Sequence, residues 1–133
     1  MEGFSKMPRV RSKLCKDIEA FHKKFKLGYA GGPRRLSLEV IRARYKHQFE
    51  EVQELSQAIH TGDMEGTLDA LVDTVYIALG TAYLMGLDFD KAWDRIHKAN
   101  MKKVRMATKR SPIDIVKPIG WKPPKLSDLC KVK

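Results

Sequence analysis

Glu50-Glu51-Val52-Gln53-Glu54, followed by Leu68-Asp69-Ala70-Leu71-Val72-Asp73-Thr74-Val75-Tyr76, is the stretch on which the fold turns. On a helix, residues three or four apart share a face, so Glu51 with Glu54, Glu50 with Glu54, and Asp69 with Asp73 form two carboxylate stripes. Thr61-Gly62-Asp63 lies between the stripes and reads as a short turn, which makes the two helices antiparallel neighbours. Brought together unpaired, the stripes repel. The remedy expected for carboxylates in a helical bundle is a hard divalent cation, Mg2+ or Mn2+, with Glu51, Glu54, Asp69 and Asp73 as candidate metal ligands. Taken alone, E-x-x-E is also common on solvated helix faces. Asp69 and Asp73 weigh against that reading, because they sit in an apolar helix where a carboxylate needs a partner.

Working outward, helical spacing predicts four helices. Val10, Leu14, Ile18, Phe21 and Phe25 give a first helix from Val10 to Lys26, ended by the connector Gly28 to Pro33. Ser37 is the predicted N-cap of a second helix reaching His60, with Ile41, Tyr45, Val52, Leu55 and Ile59 as its apolar stripe. A third helix is predicted from Met64 to Met85, almost wholly apolar after Asp73, with Asp63 at its first turn and Gly86 as its stop. Asp88 caps a fourth, in which Phe89, Trp93 and Ile96 keep the period to Val104. Beyond Arg110, Pro112, Pro118, Pro123 and Pro124 cannot continue a helix. The predicted organisation is a domain over 1–110 and a Pro-rich basic arm over 111–133, extended and ordered only if it docks. No segment reads as a sheet. The fold class expected is all-α, a four-helix-bundle-like protomer that oligomerises through its helices. The apolar run Val75 to Leu87 exceeds what a small monomer needs, so a homodimer or homotetramer is expected.

Composition narrows the functional classes. The 133 residues carry a net charge of +10, distributed as +7 over residues 1–35, −5 over 36–100 and +8 over 101–133. A metal site for a polyanion needs this pairing, in which carboxylates hold the cation and Lys or Arg meets phosphate. The competing reading is a basic α-helical nucleic-acid binder without catalysis. Cys15 and Cys130 lie far apart, with no C-x-x-C pair and no histidine at zinc spacing, which argues for a reducing compartment. The N-terminus lacks the apolar region of a secretory signal, and no apolar run is long enough to span a bilayer. The expected location is cytoplasmic, with no membrane partner.

No P-loop, G-x-S-x-G or G-x-G-x-x-G occurs, so metal-assisted hydrolysis leads among enzymatic classes. The run His97 to Arg105 gathers cations at a helix C-terminus, where they complement the dipole even without a ligand. Its functional reading is phosphate contact by Lys98 and Lys103, with Lys102 or Arg105 as further candidates and Asn100 bonding the nucleotide. Tyr76 shares a face with Asp73 and is read as either a core aromatic or a surface for a sugar or base. The four histidines form no H-x-x-x-H pair and read as ordinary.

Together, Glu50 to Glu54, Asp69 to Tyr76, Gly80, Gly86-Leu87-Asp88 and Lys98 to Val104 resemble the all-α nucleotide pyrophosphohydrolases of the MazG type. That superfamily also includes phosphoribosyl-ATP pyrophosphohydrolases and dimeric dUTPases. The tail Val116 to Pro124 resembles the single-domain phage-type subgroup, whose members would work in the host cytoplasm, and the likeness runs from Ile18 to Lys125. It implies hydrolysis of a nucleoside triphosphate between the α and β phosphates, with Mg2+ as cofactor and a deoxynucleotide, dGTP first, as substrate. By position it implies Glu51 and Glu54 as E-x-x-E ligands, Glu50 as an accessory or water-orienting carboxylate, and Asp73 as the aspartate of the second acidic motif. That motif is usually E-x-x-D. Here the position three before Asp73 is Ala70, so a fourth ligand must come from Asp69 or Glu65.

Overall fold

The computed structural model describes residues 11–132. Four helices run in order: α1 over Lys13–Lys24, α2 over Leu38–His60, α3 over Met64–Leu84 and α4 over Phe89–Asn100. The all-α, bundle-like expectation holds. Each helix opens on a side-chain cap: Ser12, Ser37, Asp63 and Asp88 accept from Cys15, Val40, Gly66 and Lys91 backbone N–H groups. Such caps satisfy donors that the first turn leaves orphaned, each contributing about 1 kcal/mol. Gly86 ends α3 with φ +64°, and a Cβ there would collide with the backbone oxygens of Gly31 and Gly32. The connector after α1 crosses this point, donating from Ala30 N–H to Tyr83 O and from Arg34 N–H to Met85 O. The proposed start of α1 at Val10 and the reading of the N-terminus fall on residues 1–10, outside the described residues.

Helices α2 and α3 form the antiparallel hairpin that the short turn predicts, and α1 packs on α3. Polar braces fix the hairpin's register. Arg44 Nε donates to Thr81 Oγ1 at 2.9 Å, its second amino group to Ile77 O at 2.8 Å, and Gln48 Nε2 to Thr74 O at 2.9 Å. Gly80 makes room for this, because a Cβ there would stand 2.8 Å from the Arg44 guanidinium. His22 is buried beside the same face and shares a short bond of 2.6 Å with Gly28 O.

Two sequence-based expectations need correction. Helix α4 stops at Asn100 rather than Val104, because Lys102 and Lys103 N–H groups turn back to Ala99 O and Asn100 O. Val104 then enters a ladder. Strands β1, Val104–Met106, and β2, Asp114–Val116, pair antiparallel with Val104 opposite Val116, so the chain does contain a small two-stranded sheet. The β-branched residues favour that pairing, and Asp114 ties the connecting loop by accepting from Thr108 Oγ1 and from Arg110. The rest of the tail docks on α4. Trp121 Nε1 donates to Ala99 O at 2.7 Å, and Arg95 grips Asp128 through both of its terminal nitrogens.

The buried apolar set is small: Ile18, Ala58, Ala70, Leu79 and Ala99. Leu68, Leu71, Val72 and Val75 on α3 stay exposed, as do Trp93 and Ile96 on α4. Among the described residues, no helix is long and apolar enough to cross a membrane.

Candidate active site

The braces set where the carboxylates meet. Pairing Gln48 with Thr74 and Arg44 with Ile77 in an antiparallel hairpin carries Glu51 and Glu54, one and two turns further along α2, beside the segment of α3 that bears Asp69 and Asp73. Glu51 and Glu54 come within hydrogen-bonding reach of each other, and so do Asp69 and Asp73. The two pairs also feel one another, Glu51 the charge of Asp73 and Asp73 the charge of Glu54. Ala70, only 3% exposed, packs a methyl group at the position where the resembling motif carries an acid.

The electrostatic consequence is repulsion that His47 offsets only in part. Burial pushes the Glu51 carboxyl above its ordinary range, and the neighbouring Glu54 and Asp73 add to the shift. Burial likewise raises Asp73, reinforced by Asp69 and Glu54. His47 Nε2 lies 3.3 Å from Glu51 Oε1. Glu51 Oε2 is buried and has no hydrogen-bond partner among the described residues. A buried, orphaned carboxylate oxygen costs free energy and is uncommon in a folded protein.

Beside these groups lies a cleft of about 340 Å³ between the end of α2 and the start of α3, lined by Glu54, Asp69, Ala70, Thr61 and Gly66 among others. Among the described residues, no three acidic, histidine or cysteine side chains converge at ligand distance, so the carboxylates stand as facing pairs rather than as a closed cage. The donor set nonetheless suits Mg2+ or Mn2+: hard oxygens throughout, one of them without a hydrogen-bond partner among the described residues. Mg2+ keeps several of its waters and needs only one or two protein carboxylates.

The other candidate residues are placed differently. Glu50 is exposed and makes no ion pair among the described residues. Tyr76 packs edge-to-face on Phe21 at 5.4 Å, half-buried. Lys98 and Asn100 are exposed at the end of α4, and Lys103 lies 5.1 Å from the Trp121 ring centroid. No hydrogen bond or ion pair joins these three to the carboxylates within the described residues, and α4 makes no extensive contact with α2 or α3. His47 was missed in the sequence, although its spacing of four residues before Glu51 was the available signal.

With this geometry in view, the comparison with known families is decisive: the phosphoribosyl-ATP pyrophosphohydrolase model matches residues 18–100, more than half of the chain and all of α2, α3 and α4. The chain belongs to the phosphoribosyl-ATP pyrophosphohydrolase family. It is thereby a member of the superfamily that holds the MazG proteins, and its chemistry is that of a hydrolase acting on a nucleotide's phosphoanhydride. No curated protein matches the chain. The family match covers both carboxylate pairs and ends at Asn100, so the β-hairpin and the docked tail lie beyond it.

Proposed function

We propose that the protein hydrolyses a (deoxy)nucleoside triphosphate at its α–β phosphate bond, yielding the monophosphate and pyrophosphate, with dGTP the first substrate to test. The observation that carries this reading is Glu51 Oε2, a buried carboxylate oxygen without a hydrogen-bond partner among the described residues, in a Glu51–Glu54 pair that faces Asp73. Glu51, Glu54, Asp69 and Asp73 would hold Mg2+, with Mn2+ able to replace it. When bound, the cation would neutralise phosphate charge and acidify a coordinated water. Glu50, exposed and next to Glu51 in sequence, would orient the attacking water and accept its proton. The new bond joins that oxygen to one of the two phosphorus atoms of the α–β anhydride, and the bridging oxygen leaves with the other fragment, so that the products are the monophosphate and pyrophosphate. Lys98 and Lys103 would hold the phosphate chain, Asn100 would bond the nucleotide, and Tyr76 would flank its sugar or base. No covalent intermediate is needed.

The exposed apolar faces of α3 and α4 support assembly as a homodimer or homotetramer, with Leu71, Val72 and Val75 at an interface. Sedimentation at micromolar concentration tests this, and a monomer contradicts it. The catalytic reading is tested by following pyrophosphate release from each of the eight common nucleoside triphosphates, with Mg2+ and with excess chelator. Release that requires the metal supports it. Silence on all eight, or orthophosphate as the product, overturns it.

A further inference from the structure

Beyond Asn100 the sequence holds ten Lys and Arg residues against two aspartates, and two of those cations meet at one aromatic ring. The ladder pairs Val104 with Val116, so Lys103 and Lys117 flank it opposite one another. Each ammonium lies 5.1 Å from the centroid of the same ring, Trp121, which puts the two within about 10 Å of each other. The ring is itself anchored, because its Nε1 donates to Ala99 O. Both carboxylates of this segment are committed elsewhere, Asp114 to Arg110 and Asp128 to Arg95. Among the described residues, neither Lys103 nor Lys117 has an ion-pair partner.

Like charges facing each other across a ladder destabilise it, and a two-stranded hairpin is marginal alone. A shared aromatic ring offsets part of that cost. Two ammoniums gathered on one anchored ring suit an anion that carries several charges in a short span.

We propose that Lys103, Lys117 and Trp121 form a clamp for a chain of condensed phosphates, in which Lys117 binds phosphate and Trp121 positions both cations. The ligand's identity, a nucleotide's phosphate chain, rests on the hydrolase reading; the clamp itself uses none of the carboxylates. A nucleic-acid backbone offers similar phosphate chemistry. Trp121 disfavours a single strand, being the sole aromatic residue beyond Asn100, with its N–H committed and its ring engaged by cations.

Trp93→Phe leaves Trp121 as the single tryptophan, so its fluorescence reports on the clamp directly. In chelator, inorganic tripolyphosphate should produce a saturable change in emission that dGTP competes away. Lys117→Gln should weaken binding roughly tenfold, while Lys117→Arg restores it and Lys122→Gln, next to the ring but outside the clamp, leaves it unchanged. Glu51→Gln should bind tripolyphosphate normally although its turnover is lost, and a failure of the hydrolase reading shows as retained tripolyphosphate binding by a wild-type protein that releases no pyrophosphate. The proposal is overturned if Lys117→Gln binds as tightly as its background, or if Lys122→Gln loses as much. Displacement of the probe by short duplex DNA but not by dGTP overturns it as well.

Discussion

Carboxylates meet opposite fates in the centre and in the C-terminal segment of this chain. In the α2–α3 hairpin, Glu51 and Asp73 are pressed against other acids and burial raises both. In the C-terminal segment, Asp114 and Asp128 each face an arginine, whose hydrogen bonds lower them to about 2. The first arrangement works against the fold and the second supports it. The C-terminal acids each meet an arginine, whereas the hairpin acids meet mainly one another, with Glu51 Oε2 lacking a hydrogen-bond partner among the described residues, and the proposed function rests on that difference.

The largest expected effect that would break this contrast is on turnover. Glu51→Gln, Glu54→Gln and Asp73→Asn should each lower pyrophosphate release at least ~100-fold, about 2.7 kcal/mol of transition-state stabilisation, with the far-UV circular dichroism unchanged. Near-normal turnover in all three would end the metal assignment. Next is ligand linkage. Mg2+ at about 100 times its Kd should stabilise the wild-type protein by about 2.7 kcal/mol, seen as a rise in Tm that Glu51→Gln and Asp73→Asn lose.

The pH dependence sharpens the comparison further. A carboxyl raised by folding contributes stability that is complete below its ordinary value, 4.5 for Glu51 and 3.8 for Asp73, and is lost as pH rises through the raised value. A lowered carboxyl does the reverse, so Asp114 and Asp128 contribute above 3.8 and lose that contribution as pH falls toward about 2. Denaturation of the metal-free protein against pH should therefore show Asp73→Asn flattening the loss of stability above its ordinary range. Asp114→Asn and Asp128→Asn should flatten only the acid limb. The smallest effect is expected from those last two variants at neutral pH, which should lose a little thermal stability and no turnover.

Much of this was legible in the sequence because the signals were local. Ser37, Asp63 and Asp88 announced helix starts, Gly86 a stop, and Glu51, Glu54, Asp69 and Asp73 a shared face. What was not legible depended on long-range partners. Val104 continues the helical period, yet its pairing with Val116 and the capture of Ala99 O by Trp121 end α4 early. His47 looked ordinary because its partner is a carboxylate rather than a second histidine. The braces from Arg44 and Gln48 to α3 carry no motif, although they set the register on which the acidic site depends.

One measurement addresses the central claim, that the acidic pairs are held against stability in order to serve a cation and a phosphate substrate: thermal unfolding and pyrophosphate release of Glu51→Gln, side by side. The account predicts that the metal-free variant melts about 2–4 °C higher than the wild type at neutral pH, because a neutral amide relieves the repulsion, while its turnover is lost. A variant that melts lower in the absence of metal and still releases pyrophosphate at the wild-type rate would contradict it.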